Sequence, residues 1–221
     1  MVDNDDDMPP RRLTRTESKA RTRQRLLDAA ARTFARKGYG AASVDEIAEA
    51  AGYSVGAVYS NFGSKEHLFT ELMSNRVTDR VGEAARIVAD TETTAEERMG
   101  ALGRMLIEIA DKDQDLAPLQ AEFWLYAVRN PATMDLLAER TSPAHEGVRA
   151  LVEDSLRRRD IGGSAESEAL ATVVLALFQG LVRQRRIDPN RVPDELFGSA
   201  LTWLFEGIAA TQTSENTDPR K

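Results

Sequence analysis

Apolar residues recur at three- and four-residue spacing along most of this chain, and the strict alternation expected of strands is almost absent. The first such face is Leu26, Leu27, Ala30, Ala31 and Phe34, which predicts a helix over about 18–37, stopped by Gly38 and Gly40. Next comes "SVDEIAEAAG". Ser43 and Glu46 have the Ser-x-x-Glu spacing of a capping box, so a short helix starts at Val44. Val44, Ile47, Ala48 and Ala51 form its inner face, and Gly52 ends it. About three residues later a second short helix turns Val58 and Phe62 inward until Gly63 breaks it. Ser64 then caps a long helix through Leu68, Phe69, Leu72, Met73, Val77 and Val81.

Beyond about residue 91 the amphipathic helices are longer. One carries Met99, Leu102, Met105, Leu106 and Ile109; the polar "DKDQD" separates it from another with Leu119, Phe123, Trp124, Ala127 and Val128. Asn130-Pro131 ends that helix, and Pro143 predicts a kink or break in the next. Arg157 to Arg159 answer the dipole of its C-terminus ahead of a Gly pair. Leu170, Val173, Val174, Leu177, Phe178 and Leu181, then Leu196, Phe197, Leu201, Leu204, Phe205 and Ile208, mark the last two helices. The expected fold is all-α: an N-terminal three-helix helix-turn-helix head plus a larger C-terminal helical domain. The expected divisions are a disordered arm (1–16), the head (17–64), the larger domain (65–211) and a polar tail (212–221).

Composition narrows the function. With 221 residues and 42% apolar side chains the chain can bury a substantial core. It has no cysteine, hence no disulfide, thiolate metal site or cysteine nucleophile. The start "MVDNDDDMPP" is acidic, unlike a signal peptide, and no apolar run is long enough to span a bilayer, so a cytoplasmic protein without membrane contact is expected. The net charge is −7, yet residues 11–37 hold ten basic side chains against two acidic ones. From His67 onward there are 18 basic and 26 acidic residues, so a positive field is confined to one end of the chain. A solvated helix face alone would account for such a run; beside a helix-turn-helix it supplies attraction for phosphates. No pair of side chains suits catalysis, and the two histidines, His67 and His145, have no catalytic or metal-binding company. No enzyme activity, metal or cofactor is expected.

The segment "VGAVYSNFGSKEHLF" carries the positive chemistry. Two short helices joined by a Gly-containing turn, the second exposing small polar residues, are the pattern of a major-groove reader. Ser54, Gly56, Ala57 and Ser60 are small or hydrogen-bonding, and Val55 suits a thymine methyl. Tyr59, Asn61 and Lys65 have the reach for phosphates. Ser43 and Val44, at the start of the preceding helix, complete the candidate DNA contacts.

"SVDEIAEAAGYSVGAVYSNFGSKEHLF" resembles the DNA-binding domain of the TetR family of bacterial transcriptional regulators. The match rests on Phe34 to Gly38, on "EIAEAAG", and on Tyr59, Phe62, Lys65 and Leu68, over about residues 20–70. Val55 and Ala57 depart from it, standing where the family often has polar residues. The resemblance implies a regulator, expected to be a repressor, that binds a palindromic double-stranded operator as a homodimer and is released by a small molecule. It implies that the helix from Lys65 links the head to a ligand domain whose last two helices pair with a second copy. Candidate interface residues are Leu177, Leu181, Leu201, Leu204, Phe205 and Ile208. Pocket candidates for a largely apolar effector are Leu102, Met105, Leu106, Phe123, Trp124, Tyr126, Leu151, Val174 and Phe178, with Trp124 and Tyr126 favoured for their polar handles. The alternative is a helical small-molecule binding protein without operator binding.

Overall fold

The computed structural model describes residues 14–112, 116–159 and 164–217. Among them there is no strand, and the chain divides into two compact units, residues 1–72 and 73–221. Most of the arm expected before residue 17, and the last residues of the tail, lie outside the described residues.

The first unit holds α1 (Arg15–Ala41), α2 (Val44–Ala51), α3 (Val55–Phe62) and the start of α4 (Lys65–Ala89). Local chemistry sets each boundary. Thr14 and Glu17 form a capping box that starts α1 two residues inside the expected arm. Gly38 leaves helical geometry at φ 81°, a left-handed value that glycine adopts without the Cβ penalty, and a last turn follows to Ala41. Ser43 and Glu46 cap α2 reciprocally, and Gly52 closes it at φ 75°. Ser54 accepts the Ala57 N–H to start α3.

The core of this unit joins Leu26, Leu27, Ala30 and Phe34 of α1 to Ile47 and Ala48 of α2 and Val58 and Phe62 of α3. Leu68, Phe69 and Leu72 of α4 are buried too, so the compact head runs past the helix-turn-helix to Leu72. Phe34, Tyr39 and Phe69 form an aromatic triad with ring centroids 5.0–5.9 Å apart. A second tie is polar. Arg23 of α1 forms a forked ion pair with Glu71 of α4, donates to the Asn61 carbonyl at the end of α3, and lies 4.3 Å from the Phe62 ring centroid.

The second unit contains the rest of α4 with α5 (Ala95–Lys112), α6 (Leu116–Val128), α7 (Pro131–Arg157), α8 (Ser164–Ile187), one 3-10 turn (Pro189–Arg191) and α9 (Leu196–Thr217). Leu102, Met105, Leu106 and Ile109 of α5 pack with Val148, Val152 and Leu156 of α7, Val182 of α8, and Phe197, Leu201 and Phe205 of α9. Helices α5 and α9 meet backbone to backbone. A Cβ on Gly103 would run into the carbonyl oxygen of Asp194, in the turn before α9, and one on Gly198 into that of Met99.

Pro143 does not break α7, although the Glu139 carbonyl has no N–H four residues on to receive. Neighbouring carbonyls take side-chain donors instead: Thr141 and Ser142 donate back to Leu137 and Ala138, and Ser74 of α4 donates to the Arg140 carbonyl at 2.9 Å. Helix α9 also continues to Thr217, six residues into the expected tail.

Candidate nucleic-acid interface

Helix α3 turns Val58 and Phe62 into the core, which leaves Gly56, Tyr59 and Ser60 on the solvent side. Tyr59 is 49% exposed, the most accessible large apolar residue among the described residues of the head. Ser54 and Gly56 are exposed, and a Cβ on Gly56 would meet only the Ser54 hydroxyl at 3.8 Å, so the head itself does not demand this glycine. Val55 and Ala57 are half-buried. Ser60 donates to the Ala57 carbonyl at 3.0 Å; its oxygen keeps lone pairs as an acceptor.

Three predicted contacts are placed differently. Val44 is 7% exposed: as the first apolar residue after the Ser43 cap it packs in the core rather than on the outer face of the head. The half-buried Ser43 spends its hydroxyl on the Glu46 N–H. Asn61 does not reach outward: its side-chain NH2 donates to the Ala57 carbonyl at 2.8 Å, and its Oδ1 is buried without a hydrogen-bond partner. Lys65 packs its ammonium 4.5 Å from the Tyr39 ring centroid and 3.5 Å from the Gly40 carbonyl, which fixes it at the junction of α4 with the end of α1. Nearby, exposed His67 lies 3.1 Å through Nδ1 from the Ser64 hydroxyl.

The basic run is only partly available. Arg23 is committed to Glu71, and Lys37 pairs with Glu46, whose carboxyl is held below the ordinary value by Lys37 and by the Ser43 N–H. Sequence periodicity missed another group. The Tyr53 phenol, in the turn before α3, accepts from the Thr22 hydroxyl on α1 at 3.4 Å, with the Arg25 charge nearby. The Thr22 hydrogen bond, then Arg25 and Arg21, hold the phenol below the ordinary tyrosine value. Thr22 and Tyr53 are 31 residues apart, which no helical spacing connects.

In the second unit the pocket candidates separate. Leu102, Met105 and Leu106 are core residues of α5, and Phe123 is buried on the inner side of α6 with Leu119 and Ala127. Leu151, Val174 and Phe178 are half-buried, and Phe178 stacks edge-on against Phe197 at 5.5 Å. Trp124, 54% exposed, and Tyr126 lie on the outer side of α6 with Leu125 and Val128, so the polar handles that favoured them need no internal partner. Among the interface candidates, Leu201 and Phe205 are buried within one chain and Leu177, Leu181, Leu204 and Ile208 are half-buried. Leu201 and Phe205 pack in the core cluster of the second unit. The large apolar residues that face solvent on these helices are Val173, Ile187 and Trp203. Among the described residues no helix is long and apolar enough to cross a membrane, and no cluster of three or more potential metal ligands occurs.

Two family profiles match the chain. The profile of bacterial regulatory proteins of the tetR family covers residues 26–72, and that of the C-terminal part of BetI-type transcriptional repressors covers residues 95–209. The HTH-type transcriptional regulator TtgR of Pseudomonas putida is 24% identical over 213 residues, 89% of this chain and 94% of that protein. A TetR-family transcriptional regulator structure from Mesorhizobium loti superposes with a TM-score of 0.63 at 23% identity, covering 90% of this chain and 98% of the other. The multidrug-binding protein EbrR complexed with proflavin superposes with a TM-score of 0.55 at 26% identity, covering 83% of this chain and 99% of the other.

Proposed function

Since the chain belongs to the TetR family of bacterial regulatory proteins, we propose that it is a ligand-responsive repressor acting on operator DNA in the cytoplasm. The observation that carries the reading is the outer face of α3. It is a short helix held by the core through Val58 and Phe62, with small residues facing out and Tyr59 exposed beside them. Small outward residues let the helix backbone approach base edges in a major groove, and a flanking phenol can reach a phosphate. Two such heads, one from each copy in a homodimer, would read a palindrome with half-sites about one helical turn apart.

The second unit is the effector domain in this reading. EbrR, to which the chain is similar, was crystallised with proflavin, a flat aromatic molecule, and an effector of largely apolar character suits the half-buried Leu151, Val174 and Phe178. Release follows if the effector binds more tightly to a state whose heads no longer fit the operator; only that difference in affinity can shift the balance. The test is selection of genomic fragments by the purified protein, followed by gel shift with the selected fragment and a panel of planar apolar compounds. Recovery of one palindromic fragment that a compound releases supports the reading. Binding of compounds with no retention on DNA or heparin at any salt would replace it with a small-molecule binding protein.

A further inference from the structure

We propose that Arg21, Thr22, Arg25 and Tyr53 form a phosphate-binding subsite on the α1 flank of the head, which takes a backbone phosphate of the bound DNA. The inference rests on the operator-binding reading and extends it to a surface outside α3 and Lys65. Residues 21 and 25 are one turn apart on α1, so their two guanidiniums share a face. Like charges at that spacing repel, and among the described residues neither makes a salt bridge. Acids in the same stretch are engaged elsewhere: Glu17 caps Thr14, and Asp28 accepts from Gln24. The other two cations whose partners are seen, Arg23 and Lys37, are neutralised by Glu71 and Glu46. An uncompensated pair therefore stands apart from cations that have structural work.

Tyr53 sets the geometry. It lies one residue before Ser54, the cap of α3, and reaches back to α1. Its phenol oxygen accepts from the Thr22 hydroxyl at 3.4 Å, near the outer limit for paired hydroxyls, with the Arg25 charge nearby. The Thr22 proton is shared between the phenol oxygen and the Ser18 carbonyl at 3.0 Å, so the phenol's own proton is left for a phosphate oxygen at normal O–H···O⁻ distance. Two guanidiniums one turn apart on α1, flanking the residue that the phenol touches, suit a phosphodiester, and the attachment to the turn that launches α3 ties the contact to the register of the reading helix.

The test uses full-length protein and a labelled duplex selected from a random-sequence library by the wild type, followed by anisotropy across a salt series. Arg21→Gln with Arg25→Gln should lose affinity at least tenfold and flatten the slope of log affinity against log salt by about 1.8 per dimer, one phosphate per head. Tyr53→Phe should lose about tenfold, as for one hydrogen bond to a charged group, with the order of preference among duplex variants unchanged. Arg36→Gln is the control: it removes an exposed cation of the same helix about 16 Å farther along, beyond a Debye length, and should leave affinity within about twofold. Wild-type affinity and slope in the double variant would overturn the subsite, and so would equal losses in the Arg36 control, which would mean a diffuse field. Unlike either result, a wild type that selects no duplex defeats the operator-binding reading first, and the subsite with it.

Discussion

Tyr59 spends little of its side chain on folding, because the inward line of α3 passes through Val58 and Phe62 and leaves the ring half in solvent. Tyr59→Ala should therefore weaken operator binding by about 1.5–3 kcal/mol, the worth of a hydrogen bond to a charged group, without unfolding the head. A gel-shift titration at wild-type affinity would remove Tyr59 from the interface. Lys65 differs because Tyr39 and Gly40 already position it. An ammonium has three donors, so a phosphate can still be reached. Lys65→Ala should weaken operator and random DNA equally and lower the salt slope by about one unit per subunit. A loss confined to one base pair would refute that role. Ser60 is the opposite case: its oxygen faces out while its proton goes to Ala57, so Ser60→Ala should change the preference among operator variants more than total affinity. That difference would show as altered rank order in a competition series.

At the scale of elements, capping and close packing are separable. Ser54→Ala removes the acceptor for the Ala57 N–H and should cost about 0.5–2 kcal/mol of head stability, read as a lower denaturation midpoint at unchanged m. Gly103→Ala should be more severe for the second unit. Its Cβ would sit inside contact distance of the Asp194 carbonyl, a backbone atom that cannot rotate away, so α5 and the turn that leads into α9 must separate. Overpacking of this kind costs about 1–3 kcal/mol or more, and a melting curve unchanged from wild type would contradict the crossing. Most of the helices were legible because their ends carry local signals: Ser43 with Glu46, Gly52, Ser54, Gly63 and Asn130-Pro131 each act within a few residues. Where structure departed, the cause was long-range. Pro143 sits in an uninterrupted helix whose Arg140 carbonyl, one turn back, is held by Ser74 of α4, a contact no local pattern shows. Helix α6 is apolar nearly all round, so periodicity offered no stripe to say that Phe123 faces in and Trp124 out. In the interface, the types at Ser54, Gly56 and Tyr59 were readable, whereas the turn of Asn61 onto its own helix and the reach of Tyr53 to Thr22 depend on rotamers and on α1.

For the whole molecule, the proposed function needs two heads held at a fixed spacing, and the last two helices are where a second copy would attach. Neighbouring positions on α9 answer differently to the same charge. Leu201 is 5% exposed and packs with α5, so Leu201→Glu buries a carboxylate without a partner and should unfold the second unit. Trp203, two residues on, is 64% exposed in the single chain and has room for a charge. If it lies in the interface, Trp203→Glu should leave a folded monomer, because there the carboxylate would lose its solvent only on dimerisation. Such a monomer should lose far more than half of its operator affinity, since the second head no longer benefits from the effective concentration set by the first. Sedimentation, circular dichroism and operator titration together separate the outcomes. A folded, dimeric Trp203→Glu with normal affinity would put the interface elsewhere. A folded monomeric Leu201→Glu would place that side chain at the interface after all and contradict its assignment to the core.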